Sequence, residues 1–347
     1  MRAFHRETFS PLGWALMLGA LLAALLTCVA AGSVSIPLGD TARIIWSALW
    51  GKPAPAGVSS SIILSVRLPR VLCVALSGGA LSLCGAAMQG LLRNPLADGS
   101  TMGVSSGAAL GAMLALLMGF RLPGSPLGGT VVMAILFAFL SLLLILSLVL
   151  ALDHSLSTQS IILIGVIFSM FASSLMSLMI AFAGDKVRSL TFWTMGSLSG
   201  SSYQNALLLL GALILFGGAL LAHARELNAF AIGEENARAI GVPIRRVKLA
   251  VLICVSGLIG VCVSVGGTIG FVGLVVPHMA RMITGPNHRR LLPASLLGGA
   301  VFLMLCDLAA RMLLRPVELP VGVVTSLIGA VVFVVIFFRS RKAARAC

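Results

Sequence analysis

The chain has 347 residues, of which 59% are hydrophobic and 10% charged, with a mean hydropathy of +1.09. A soluble domain carries about a quarter charged residues, so this composition excludes an ordinary soluble protein and indicates a polytopic membrane protein. The net charge of +14 does not imply nucleic acid: the basic residues sit between apolar runs, where cytoplasmic retention of Lys and Arg accounts for them.

In chain order, apolar runs fall at about 12–31, 66–89, 99–119, 127–150, 159–183, 204–222, 247–269, 271–284, 291–314 and 319–338. That predicts ten spans and an all-α fold. The first run follows Arg2 and Arg6 and ends at Ala-Ala-Gly, as in a signal peptide. It exceeds the 7–15 residues of a signal core, so a retained span is expected. Thr41 to Trp50 sets Trp46 and Trp50 one turn apart with Ile45 and Leu49 nearby, which predicts a short interfacial helix. Gly103, Gly107 and Gly111 form overlapping GxxxG steps, as does Gly266 with Gly270, and predict close helix contacts. Residues 184–203 are too polar to span and too apolar for plain loop. A short re-entrant helix around Leu190–Met195 is expected there. The segment 222–248 is the largest one predicted inside. The eighth run is short and interrupted by Gly270, Gly273 and Pro277.

An even number of spans puts both termini on one side. With cytoplasmic termini, the outside segments hold nine basic residues (Arg43, Lys52, Arg67, Arg70, Arg121, Lys186, Arg188, Arg311 and Arg315) and the inside segments hold the rest of the 24. That asymmetry favours termini inside. A polar Asn94-Pro95 turn in one half and a Pro286-Asn287 turn in the other, each between small-residue spans, suggest halves of opposite direction. Seven cysteines (Cys28, Cys73, Cys84, Cys254, Cys262, Cys306 and Cys347) show no CxxC and no zinc spacing with His. Neither a metal site nor a disulfide framework is expected.

Several segments together resemble one family. RLPR at 67–70, GAAMQGLLRNPLADGSTMGVSSGAALGA at 85–112, GEENARAIG at 233–241, GFVGLVVPHMAR at 270–281, DLAAR at 307–311 and ELPVGVVTSLIGA at 318–330 are similar to the FecCD-type permeases. Those are membrane subunits of ABC importers for ferric siderophores, haem and cobalamin. The resemblance covers about residues 60–339. It implies a type II importer permease in the bacterial cytoplasmic (inner) membrane, with inverted-repeat-like halves and no cofactor. It also implies a homodimer around a central path, two separate ATPase subunits inside and a substrate-binding protein outside. The whole chain reads as a single permease domain. No G-x-x-x-x-G-K-[ST] phosphate loop occurs in it, so ATP hydrolysis is expected from the partner and the chain is read as a transport subunit, not an enzyme.

The resemblance assigns roles residue by residue. Arg67, Arg70 and Arg311 would dock carboxylates of the binding protein, a task suited to a planar, permanently charged fork. The alternative is snorkelling toward water. Asp307 precedes Arg311 by four residues and predicts a helical ion pair. That pair would either neutralise itself in low dielectric or hold Arg311 outward. Gly233, Glu234, Glu235, Ala237, Arg238 and Gly241 fall where the family seats its coupling helix on the ATPase, although a mixed-charge helix also reads as a solvated face. Asn94, Pro95 and Leu96, with Ser157 and Thr158, match the turns that close the path inside. Asn and Thr suit a gate because their hydrogen bonds break without desolvating a charge; an ordinary Asn-Pro turn is the plain alternative. His278 reads as a satisfied structural donor rather than a ligand.

Two other classes compete. A proton- or sodium-driven carrier places ionisable groups along its pathway, and only Asp307 lies within a spanning run here. A serine hydrolase could be imagined from Gly103-Val104-Ser105-Ser106-Gly107 with His278, but that motif requires a strand-to-helix elbow. The cargo is not readable from the residues.

Overall fold

A computed structural model describes residues 10–32, 36–51, 57–99, 102–120, 122, 128–152 and 156–345. Arg2, Arg6, Lys52, Arg121, His154 and Cys347 lie outside them. The described residues form α1 (Pro11–Ala30), α2 (Leu38–Leu49), α3 (Val58–Leu91), α4 (Val104–Met118), α5 (Gly128–Leu152), α6 (Thr158–Ala181), α7 (Val187–Thr194) and α8 (Tyr203–Ala222). After these come α9 (Ala224–Ala231), α10 (Glu234–Ala239), α11 (Ile244–Gly266), α12 (Val272–Thr284), α13 (His288–Met312) and α14 (Val321–Arg345). Among them α1, α3, α5, α6, α8, α11 and α13 are long and apolar enough to cross a membrane, and α4, α12 and α14 are shorter apolar helices. These correspond to the ten expected runs.

Local chemistry sets the helix starts. Ser10, Ser157 and Ser202 cap α1, α6 and α8 by accepting from the backbone N–H of Gly13, Ser160 and Asn205. Asn287 caps α13 by accepting from Arg289 N–H. Each side chain satisfies a donor that the first helical turn leaves unpaired. Trp46 of α2 and Trp50 at its C-terminal cap are both exposed, with ring centroids 5.6 Å apart.

The core is built on α3 and α11. Most of the apolar residues of each are buried, whereas few of those of α1 and α6 are. Helix α3 packs on α11, α12 and α13, and glycine permits the closest approaches. A methyl at Gly78 would land on the Gly299 carbonyl, and one at Gly85 on the Gly273 carbonyl. The GxxxG glycines also work in packing: Gly107 meets Ser141 and Phe137 of α5, and Gly111 meets the Met133 carbonyl. Gly103 instead holds φ +75° at the start of α4.

Helix α12 begins beside Gly85, well inside α3, so the irregular stretch before it lies at depth. Lipid does not tolerate unpaired backbone, and the segment around α7 covers it. Thr268 Oγ1 donates to the Thr194 carbonyl at 2.5 Å, and Ser197 N–H donates to the Gly266 carbonyl at 2.9 Å. Leu190 of α7 is buried against Met113 of α4.

The two polar turns occupy one end of the bundle. Gly90 lies against the His288 ring, and Arg281 Nη2 donates to Gln89 Oε1 at 3.2 Å. Helices α3 and α12 therefore run in the same direction. This corrects the expectation for Asn94-Pro95 and Pro286-Asn287: they are not equivalent positions of halves related by inversion.

Candidate functional site

Charged side chains concentrate at the two ends of the bundle. At one end, α1 stops at Ala30 and leaves carbonyls without helical partners. Two arginines take them. Arg67 donates to the carbonyls of Val29 (3.1 Å) and Ala30 (2.5 Å), and Arg311 to those of Cys28 and Ala31 (3.0 Å each). Cations at a helix C-terminus also complement its dipole. Asp307, 1% exposed, anchors the remaining donors. Its Oδ1 accepts from Arg70 Nε (3.1 Å) and Nη2 (2.9 Å), and its Oδ2 from Arg311 Nε (2.9 Å). Arg70 Nη1 reaches Glu318 Oε2 at 2.7 Å, and Glu318 is the half-exposed member of the group.

The expected helical ion pair of Asp307 and Arg311 is present. Arg67, Arg70 and Arg311 are all buried, because the end of α1 and the Asp307 carboxylate offer acceptors that the linear sequence does not reveal, and the alternative in which Asp307 holds Arg311 outward is corrected. Asp307 directs Arg311 into those carbonyls rather than away from the bundle. Its pairing with Arg70 spans 237 residues of chain.

At the opposite end lies α10, bracketed by Gly233 (φ +107°) and Gly241 (φ +90°), backbone conformations that glycine adopts without strain. Glu234 and Glu235 occupy its first turn and Arg238 its last, the order its dipole favours. Ala237 is buried and seats the helix. Glu235, Arg238, Ile232 and Ile240 are exposed. The two turns assigned to gating lie at this end. Asn94 Oδ1 accepts from Leu96 N–H at 2.9 Å in an Asx turn, and Leu96 is half-exposed. Asn94, Pro95 and Leu96 line a cavity of about 140 Å³ with His278 and Phe333. Ser157 caps α6, and its hydroxyl donates to Ser160 Oγ at 2.8 Å.

Sequence reasoning missed three groups. Lys248, 1% exposed, donates to the Leu156 carbonyl and to Glu234 Oε1, both at 2.8 Å. Asp98 lines a small cavity with Ser105, Ile259, Gly270 and Gly273, so a second carboxylate reaches the depth of the α12 start. His288 is buried, and its Nδ1 lies 2.9 Å from Asn228 Oδ1, tying α9 to α13. His278 departs from the satisfied-donor expectation: its buried Nδ1 has no hydrogen-bond partner, and its ring stands edge-on to Phe333 at 6.4 Å. Ser105 sits in the first turn of helix α4, not on a strand-to-helix elbow.

Comparison with known proteins gives a consistent picture. The model of the FecCD transport family matches residues 20–339. The hemin transport system permease of Yersinia pestis is 39% identical over 94% of this chain and 96% of its own length. The vitamin B12 import system permease of Citrobacter koseri is 38% identical over 81% and 84%. Among solved structures, an ABC transporter of metal-chelate type in an inward-facing conformation covers 95% of this chain and 100% of its own. It has a TM-score of 0.84 and 32% identity.

Proposed function

Because this chain belongs to the FecCD transport family, we propose that it is the membrane permease of an ABC importer that takes up a ferric siderophore or related iron chelate. It works as a homodimer in the bacterial inner membrane. The arginine end faces outward to a substrate-binding protein, and the α10 end faces the cytoplasm and two ATPase subunits. The observation that carries this reading is α10 itself. A six-residue helix seated by one buried alanine, between exposed Ile232 and Ile240 and with Glu235 and Arg238 outward, has the mixed apolar and charged surface of a docking element.

Docking outside at Arg67, Arg70 and Arg311 then starts from buried arginines. Glu318 is the accessible carboxylate on Arg70, so a carboxylate of the binding protein reaches Arg70 by replacing it. Inside, the turns at Asn94–Leu96 and Ser157–Thr158 close the path. Among the described residues no three His, Cys, Asp or Glu side chains converge as metal ligands. A metal cargo on this route therefore travels wrapped in its chelator.

Uptake of labelled ferric siderophore, haem and cobalamin into cells lacking the chain, and into the same cells with it restored, tests the proposal. Loss and recovery of ferric chelate uptake alone supports it. Loss of haem or cobalamin uptake instead keeps the importer and changes the cargo, the second reading that the haem and vitamin B12 relatives favour. Purification as a monomer that drives uptake from an ion gradient with no ATPase bound overturns it.

A further inference from the structure

We infer that Lys248 is the tie that transmits movement of α10 to the gate turn at Ser157–Thr158. The inference rests on the importer reading and adds to it the route by which force crosses the subunit. Lys248 stands on the second turn of α11, a core helix. Its ammonium donates 2.8 Å to Glu234 Oε1, on the first residue of α10, and 2.8 Å to the carbonyl of Leu156, the residue before the Ser157 cap of α6. One side chain thus touches the element proposed to meet the ATPase and the turn proposed to close the path.

Two further observations single out this contact. Leu156 holds φ +54°, a left-handed backbone uncommon for a branched apolar residue that persists only where its surroundings enforce it. It is also buried, so the Lys248 ammonium is the polar partner that fixes its carbonyl. The second gate turn bears on the same place. Arg93, which precedes Asn94 and also has positive φ (+50°), brings its Nη1 within 3.9 Å of where a Cβ on Gly233 would stand. Both gate turns therefore approach α10 at its first turn.

Burial makes the tie stiff. A surface pair would dissolve into water when one partner moved, but an ammonium with 1% exposure that loses its carboxylate has no water to replace it. The system keeps the pair and moves the turn instead. Coupling of this kind requires an element with two arrangements that both sites bias. We place that element at Leu156, whose left-handed backbone is held by the Lys248 hydrogen bond and shifts with it.

The test uses the permease purified with its ATPase, carrying Gln159→Cys beside the gate turn, with Cys254→Ser and Cys347→Ser to lower background labelling. The rate of maleimide labelling at position 159 is compared with and without ATP plus vanadate. In this parent, nucleotide should change the rate by about threefold or more. Lys248→Gln removes the cation and should abolish the nucleotide response in the complex that assembles, while Lys248→Arg should restore part of it. Should Lys248→Gln not fold, Glu234→Gln breaks the same tie from its half-buried side and should give the same loss. A merely structural lysine would lower the yield of complex and leave the nucleotide ratio of the remainder intact. A parent-like nucleotide response in Lys248→Gln, or in Glu234→Gln where Lys248→Gln does not fold, overturns the inference alone. A parent that holds no ATPase overturns the importer reading and this inference with it.

Discussion

The two ends of the bundle bury charge for opposite purposes. At the arginine end, Arg70, Arg311 and Asp307 pair within long helices, and the spare donors of Arg67 and Arg311 close the last carbonyls of α1. The partners named here lie on α3, on α13 and at the end of α1, apart from the half-exposed Glu318. At the α10 end, a single ammonium joins a six-residue helix to an irregular turn. The first arrangement fastens rigid elements to one another. The second connects a short helix to the residue before the α6 cap. Burial of charge alone therefore does not reveal a role; what the partners are free to do does.

Breaking the arginine end should cost most. Asp307→Asn leaves buried Arg311 without its carboxylate and buried Arg70 with only the half-exposed Glu318, and removing one partner of a buried pair costs about 3–5 kcal/mol. The expected result is little protein in the membrane and early unfolding in detergent, read by thermal denaturation. Gly85→Val drives a side chain into the Gly273 backbone. Overpacking of this kind costs about 1–3 kcal/mol, and a thermal stability equal to wild type would refute the tight seam between α3 and α12.

The remaining changes sharpen the contrast without disturbing the fold. Ile240→Asp should leave stability unchanged, because the side chain is exposed. It should also weaken retention of the ATPase by about tenfold, the effect of losing one good interface contact; undiminished co-purification would remove α10 from the interface. Glu318→Gln should be the mildest. Its contact with Arg70 is half-exposed, and such pairs are worth less than about 1 kcal/mol. Its reading lies in titration with the binding protein, where a freed Arg70 should raise affinity a few-fold, whereas an unchanged or lower affinity would rule out exchange at Glu318.

The spans were legible because their signal is compositional: twenty apolar residues announce themselves wherever they fold. The Asp307–Arg311 pair was legible because it is local, four residues along one helix. Its second partner, Arg70, was not, since their contact depends on how α3 and α13 pack. The inward turn of Arg67 was hidden for a related reason: its acceptors are main-chain carbonyls, and any residue type supplies those. Lys248 read as one more inner charge, because half of its environment is the carbonyl of a leucine. Asp98 was not singled out, since nothing in its neighbours indicates that the segment dips to the level of α12.

The meeting of Gly78 with Gly299 and of Gly85 with Gly273 has a further consequence. Where two helices touch through bare backbone, no rotamers freeze on contact and none are released on separation. Such a surface joins α3 to α12 and α13 at close range while leaving the entropy of the glycine positions' neighbours little reduced.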